Sequence, residues 1–236
     1  MLIYQSKVSV LKRIRISDKK LRLIIRCFVF DYTASQASKL TQVNRNTLTR
    51  YYSWLRSLLL FQAAKERKVS QIQIENGIEI DESYFGPKRQ KGKRGRGAAK
   101  KIIVLGLRKR GGKVYCQIIP DTTREEIMPI IRQTVKSGAD IYTDGWRSYD
   151  ALAIYGYNHK KVNHEKDEFV REGEIHINGV ESFWSWTKRR LAKFNGIPKT
   201  LFPNCLLESE WRFNHRNDIL NQMKQLIRHY KQSHSF

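Results

Sequence analysis

The pattern of apolar and polar positions divides the chain into a helical first part and a mixed second part. Residues 18 to about 61 carry apolar side chains at helical spacing. We expect a helix over residues 19–30, capped by Ser17 or Asp18, whose short side chains can accept a free amide of the first turn. A short helix over residues 34–40, a turn, and a further helix beginning near Arg45 follow. The first part is therefore predicted to be all-helical.

The second and third of these helices have the pattern of a helix-turn-helix. Small or apolar residues are predicted to face inward: Ala34, Ala37, Leu40, Val43 and Leu48. Polar residues cluster at the start and outer face of the last helix: Asn44, Arg45, Asn46, Thr47 and Arg50. A recognition helix uses such side chains, with Arg for guanine, Asn for adenine and Thr for phosphate. The alternative is an ordinary three-helix bundle with a polar surface.

After a polar stretch, the pattern changes to strands alternating with helices. Strands are predicted over residues 77–85, 101–107, 113–120, 140–143 and 157–162, and helices over 123–136, 148–155, 177–193 and 206–230. Three antiparallel strands followed by alternating elements indicate an α/β fold, a mixed sheet flanked by helices. The predicted domains are a helix-turn-helix module (1–62), a linker (63–76), a catalytic domain (77–200) and a C-terminal helical extension (201–236).

Charge narrows the classes of function. The 236 residues include 45 Lys and Arg against 22 Asp and Glu, a net charge of +23, and aromatic residues make up 11%. Such a chain is typical of a polyanion binder, most often of nucleic acid. The alternatives are a basic ribosome-associated or membrane-surface protein. No apolar run approaches the roughly 20 residues of a membrane span, and no signal peptide is evident. We therefore expect a cytoplasmic protein without a membrane partner, whose three cysteines are reduced.

The stretch between the first two predicted strands is strongly basic. Residues 88–110 contain eleven Lys and Arg and no acid. Glycines at 92, 95 and 97 make this loop pliable, so its cations can follow a phosphate backbone. The predicted DNA contacts are Lys91, Lys93, Arg94 and Arg96. The alternative is a solvated hairpin.

Three acidic residues have positions that suit a metal site. Asp81 lies in the first strand, Asp144 ends the fourth, and Glu181 borders the apolar stripe of a helix. If the first and fourth strands are neighbours, the two aspartates meet at one edge of the sheet, while strand alternation sends Glu82 to the other face. Three carboxylates suit Mg²⁺ or Mn²⁺. Each acid alone is more often a cap or a surface group, and acids within residues 165–174 are rival third ligands.

Four motifs that occur in order over residues 77–200 closely resemble those of bacterial insertion-sequence transposases of the ISXO-like DDE group. They are IDESYFG at 80–86, GKRGRGAA at 92–99, YTDGWRSY at 142–149, and HINGVESFW at 176–184 with Lys188 and Arg189 after it. The resemblance implies an RNase H-like catalytic domain, two divalent metal ions and a cut-and-join reaction on DNA. It maps the catalytic and metal-binding acids onto Asp81, Asp144 and Glu181, with Asn178 as a rival third ligand.

The predicted function is therefore a DNA transposase that uses two Mg²⁺ ions, or Mn²⁺. Its partners would be the terminal repeats of the element, target DNA and at least one further copy of the chain, in a nucleoid-associated setting. His176, Asn178 and Lys188 are secondary candidates: His176 could orient a ligand or hydrogen-bond phosphate, and Lys188 and Arg189 could hold DNA phosphates. The alternatives are a non-catalytic helix-turn-helix regulator and a nuclease that cuts without joining.

Overall fold

A computed structural model describes residues 16–70, 77–86, 101–144, 146–162 and 176–233. Two compact units make up the chain, Met1–Glu66 with His215–Phe236, and Arg67–Asn214. Among the described helices, none is long and apolar enough to cross a membrane. The domain boundaries given above stay predictions.

The described part of the first unit is helical. Its elements are α1 (Asp18–Val29), α2 (Ala34–Thr41), α3 (Arg45–Ser70), which continues into the second unit, and α7 (Ile219–Ser233). The predicted N-termini of α1 and α2 lie within one residue of the observed ones. The Ser17 side chain accepts the amide of Lys20 at α1, and Thr33 forms a capping box with Gln36 at α2.

The turn between α2 and α3 is tight and internally bonded. Gln42 adopts the left-handed region with φ 54°, and the Asn44 side chain accepts the amide of Asn46 at 2.8 Å where α3 begins. Ala37, Val43 and Leu48 are buried as predicted. The prediction for Leu40 is wrong, because this side chain is 58% exposed. Thr41 takes the inward position instead, since its hydroxyl donates to the Ala37 carbonyl and can be buried at little cost.

The second unit contains a mixed sheet whose described strands follow the order β3-β2-β1-β4-β5. Their bounds are β1 (Ile78–Phe85), β2 (Ile102–Lys109), β3 (Val114–Ile119), β4 (Asp140–Thr143) and β5 (Asn158–Lys161). The pairs β1–β2 and β2–β3 are antiparallel, whereas β1–β4 and β4–β5 are parallel. The α/β class is confirmed, and the first and fourth strands are neighbours.

Helices cover the sheet on both faces. The remaining elements are α4 (Arg124–Thr134), a 3₁₀ helix (Arg147–Leu152), α5 (Asn178–Ala192) and α6 (Phe202–Asn214). Ile78 and Ile80 of β1 belong to the core beneath α4 and the 3₁₀ helix. Phe85 of β1 packs with α5 and α6 on the opposite face. Odd-numbered positions of β1 therefore face α5, which decides where Asp81 lies.

Candidate active site

The parallel strands β1 and β4 bring Asp81, in the middle of β1, level with Asp144, directly after the end of β4. In the β1–β4 register, Glu79 lies opposite Tyr142. Each aspartate follows two residues after its member of this pair, so both project toward the same face. Asp144 stands directly after β4, where its Oδ1 accepts the Trp146 amide at 3.1 Å. The juxtaposition that the strand pattern predicted is therefore present in the backbone.

Helix α5 brings the third acid to this face. Its first turn contains Glu181, whose side chain is exposed, and Asn178 is the first residue of the helix. The buried stripe of α5, which includes Val180, Phe183 and Trp184, packs on the sheet. A carboxylate in the first turn also interacts favourably with the helix dipole.

The carboxylates are close enough to repel one another. The pKa of Asp81 is raised to about 7, mainly by burial and then by the negative charges of Glu82, Asp144 and Glu181. Among the described residues, no three His, Cys, Asp or Glu side chains are already grouped closely enough to hold a metal ion. Asp144 and Glu181 are therefore near enough to affect the charge state of Asp81, but the three carboxylates are not grouped as metal ligands.

A tryptophan holds the Asp81 carboxylate in place. The Nε1 of Trp184 donates to Asp81 Oδ2 at 3.0 Å, and the indole is 4% exposed. It reaches Asp81 across Gly106, the β2 partner of that aspartate. A methyl group at Gly106 would come within 2.4 Å of the indole. This hydrogen bond was not identified from the sequence, because strand alternation predicts the face of Asp81 and not its partner.

Glu82 points to the other face, as strand alternation predicted. Its Oε1 accepts the hydroxyl of Tyr149 in the 3₁₀ helix at 2.6 Å. Burial, followed by the charge of Glu82, raises the pKa of Tyr149 well above its ordinary value, so this hydroxyl stays a donor. The bond connects β1 with the segment that follows Asp144.

The secondary candidates divide between two places. Lys188 lies near the acids: burial lowers the pKa of its ammonium group, and the charge of Asp81 opposes that shift. Arg189 is exposed and donates to Ser185 on the same helix at 2.8 Å. His176 instead lies beside Glu79, with Nδ1 3.7 Å from Oε1. Glu79, buried beneath the start of α5, was not identified from the sequence.

The candidate DNA contacts fall partly within the described chain. Arg45, Asn46 and Arg50 are exposed at the start of α3, and Thr47 is half-buried. The basic-loop candidates Lys91, Lys93, Arg94 and Arg96 lie outside the described residues, as do the rival acids of residues 165–174.

Comparison with known proteins decides the family. A family model described as the ISXO2-like transposase domain matches residues 73–214, more than half of the chain. The chain belongs to the ISXO2-like transposase family. The resemblance of its four motifs is thereby confirmed. Membership indicates a transposase function and implies that the chain binds DNA.

Two relatives of this transposase-family chain are consistent with that family. An uncharacterized transposase-like protein of Haemophilus influenzae is 42% identical over 119 residues, covering 49% of this chain and 94% of the relative. An uncharacterized protein in transposable element ISH50 of Halobacterium salinarum is 31% identical over 142 residues. That match covers 53% of this chain and 48% of the relative, so the chain spans about half of its length. No solved structure matches the chain significantly.

Proposed function

We propose that this chain is a DNA transposase that catalyses metal-dependent cleavage at the ends of an insertion element and strand transfer into target DNA. The observation that carries the proposal is the convergence of Asp81, Asp144 and Glu181. It is supported by the parallel pairing of β1 with β4, by the packing of α5 on the same face, and by the electrostatic effect of Asp144 and Glu181 on Asp81, in a chain of net charge +23.

The strand order supports an RNase H-like catalytic domain. Three antiparallel strands end in a central β1, which pairs in parallel with β4. The helical first unit supports a helix-turn-helix, because α2, a tight turn and α3 expose Arg45, Asn46 and Arg50 together. We infer that α3 is the recognition helix.

The donor set fits hard divalent cations. Carboxylate oxygens are the ligands of Mg²⁺ and Mn²⁺. Bound cations would relieve the repulsion between Asp81 and the neighbouring acids, which adds to the effect of burial on the pKa of Asp81. Asp81, Asp144 and Glu181 would hold two such ions. Bound ions would supply Lewis-acid activation of a water or 3′-hydroxyl and stabilisation of the leaving oxygen.

The reaction consists of two phosphoryl transfers. In cleavage, water adds to phosphorus at the element end and the P–O3′ bond breaks, which leaves a 3′-hydroxyl and a 5′-phosphate. In strand transfer, that hydroxyl forms a new P–O bond in target DNA while the target's own P–O3′ bond breaks. Lys188 would hold a DNA phosphate beside Asp81, and Arg189 would contact DNA further along α5. Pairing of two ends requires at least a dimer.

A strand-transfer assay tests the proposal. Purified protein is incubated with a labelled duplex carrying the terminal sequence of the insertion element, a target plasmid and Mg²⁺. We expect joined products that Asp81→Asn and Asp144→Asn abolish. Asp150→Asn, which removes an exposed carboxylate paired with Lys161 at 2.6 Å, is the matched control and should keep activity. Cleavage without joining would favour a nuclease, and binding without any product would favour a regulator.

The third ligand requires a separate comparison. Glu181→Gln keeps the size of the side chain and removes its charge, whereas Asn178→Ala removes the rival oxygen. We expect Glu181→Gln to abolish both steps and Asn178→Ala to retain them. Activity that survives the first change and not the second would assign the position to Asn178.

A further inference from the structure

Glu79 is a buried carboxylate on the strand that also carries Asp81. It is 1% exposed and faces α5, as Asp81 does two residues later. A carboxylate at such a position is costly unless it is fully paired. Its partners come from several different elements of the unit.

The first partner is the N-terminus of α5. Ile177, at the N-cap position of this helix, makes no side-chain capping bond. Glu79 Oε2 accepts the amide of Val180 at 2.8 Å instead. Gly179 permits this approach, because a Cβ there would lie 2.5 Å from Glu79 Oε2. Glu79, a strand residue, therefore caps the N-terminus of α5. The capped amide belongs to Val180, the residue directly before Glu181.

The other partners are two arginine side chains and the ring of His176. Arg108 Nη1 lies 3.6 Å from Oε2, and Arg110 Nε lies 3.7 Å from Oε1. The ring of His176 lies at 3.7 Å. These groups anchor β2 and the segment before α5 to the same carboxylate.

Arg110 extends the network to β4, the strand directly before Asp144. Its guanidinium stacks on the ring of Tyr142 at 3.6 Å, and it donates to the His176 carbonyl at 2.7 Å. Tyr142 is also the register partner of Glu79. The network therefore touches β1, β4 and α5, the elements that carry the candidate acids.

We propose that Glu79 is a positioning residue that holds the three acid-bearing elements in the arrangement needed for divalent-cation binding. The inference rests on the proposed function, because Asp81, Asp144 and Glu181 are taken as the ligands. A residue that merely stabilises the fold would lower stability without a local effect on α5 or on cation affinity. The network predicts both local effects.

The test compares two buried carboxylates of the same unit. Glu79→Gln removes the charge and keeps an acceptor for Val180, and Glu79→Met removes both. The matched control is Glu208→Gln: this carboxylate of α6 is also buried and pairs with Arg190 at 2.7 Å and Arg212 at 2.9 Å. The measurements on the full chain are amide hydrogen exchange without metal, Mn²⁺ affinity by electron paramagnetic resonance, and strand transfer.

We expect faster exchange at Val180 and Glu181 in Glu79→Gln, and a larger increase in Glu79→Met. Mn²⁺ affinity should fall about 10- to 100-fold, the usual effect of losing an outer support of a metal site. After correction for any difference in overall stability, Glu208→Gln should change neither the amide exchange at Val180 and Glu181 nor the Mn²⁺ affinity. Equal exchange and equal Mn²⁺ affinity in Glu79→Gln and Glu208→Gln would overturn the proposal.

A further pair of variants separates this inference from the proposed function. Asp81→Asn and Glu181→Gln should abolish Mn²⁺ binding while leaving the Val180 amide protected. If they bind Mn²⁺ normally, the proposed ligand set fails. If they lose Mn²⁺ and Glu79→Gln does not, only the positioning role of Glu79 fails.

Discussion

Gly106 shows how one missing side chain shapes the candidate site. It lies opposite Asp81 in the β1–β2 pair, and its bare Cα leaves room for the indole that hydrogen-bonds to that aspartate. Glycine inside a strand is ordinarily unfavourable. Its presence here is explained by the close approach of Trp184.

We therefore expect Gly106→Ala to destabilise the protein, although alanine is less unfavourable than glycine in a strand. The new methyl group would force Trp184 away from Asp81, at a cost of about 1 to 3 kcal/mol. Urea unfolding measures the loss. Gly112→Ala is the control: its Cβ would meet only Lys109, at 3.1 Å. An equal cost for both would show that Trp184 can shift freely.

Residue-scale features were predictable to different degrees. The faces of Asp81 and Glu82 followed from alternation alone, because the side-chain period of a strand is fixed. The roles of Trp184 and Glu79 could not be predicted from local pattern, because their partners lie about 100 residues away or on another strand. Leu40 was misplaced, since Thr41 can hide its hydroxyl within its own helix.

Helix α6 covers the outer edge of the described sheet. β3 is the terminal strand, so its outward backbone groups need partners. Asn214 accepts the Val114 amide and donates to its carbonyl, both at 2.8 Å. Glu210 accepts the Cys116 amide at 2.7 Å, and Arg67 donates to the Cys116 carbonyl. A helix thereby replaces a neighbouring strand.

Asn214→Ala should leave both Val114 groups without these partners. Val114 is fully buried, so the expected loss of stability is about 1 to 3 kcal/mol, with faster hydrogen exchange at the Val114 amide. Asn158→Ala is the control, since its side chain makes an exposed bond to the Gly138 carbonyl. Unchanged exchange at Val114 would contradict the edge-covering role of α6.

Glu210 should make stability pH-dependent. Burial raises its pKa from 4.5 to about 7, although Arg67 opposes the shift. The folded state therefore binds the proton more tightly than the unfolded state, and this contribution to stability falls as pH rises from about 4.5 to 7. The loss is on the order of 3 kcal/mol.

Urea unfolding across that pH range should show a flatter profile for Glu210→Gln than for the wild type. The amide keeps an acceptor for Cys116 and cannot ionise. Glu125→Gln, at an exposed position of α4, is the control and should parallel the wild type. A Glu210→Gln profile that also parallels the wild type would show that Glu210 is ionised throughout.

At the scale of elements, the periodicity of apolar residues was sufficient to predict most of the strands and helices. Most predicted strands and helices of the second unit begin within a few residues of the observed ones, because each has a strongly patterned buried face. The prediction of one helix over residues 206–230 is wrong, because turns at residues 215–218 divide this region into α6 and α7. The segment after Asp144 is a 3₁₀ helix rather than the helix predicted over residues 148–155. The pairing of α6 with β3 was not predictable, because local pattern does not specify which sheet edge a later helix covers.

Across the whole molecule, the excess of positive charge contrasts with a few converging carboxylates. Of the cations, Arg45 and Arg50 are exposed at the start of α3, so their part in DNA binding can be tested separately from the candidate active site. The affinity of a protein for DNA falls with salt, and each phosphate that the protein neutralises makes the slope of log affinity against log salt concentration steeper by about 0.9.

Arg50→Gln should therefore reduce that slope by about one unit if α3 contacts DNA. The measurement is fluorescence anisotropy of a labelled random-sequence duplex over a range of NaCl concentrations. Lys224→Gln, which removes one charge from an exposed position of α7, matches the change in net charge and should leave the slope unaltered. Equal effects of both variants would mean that the net charge of +23 attracts DNA without a defined contact at α3. An effect of Arg50→Gln alone would place a DNA phosphate beside Arg50, as expected if α3 lies against the DNA.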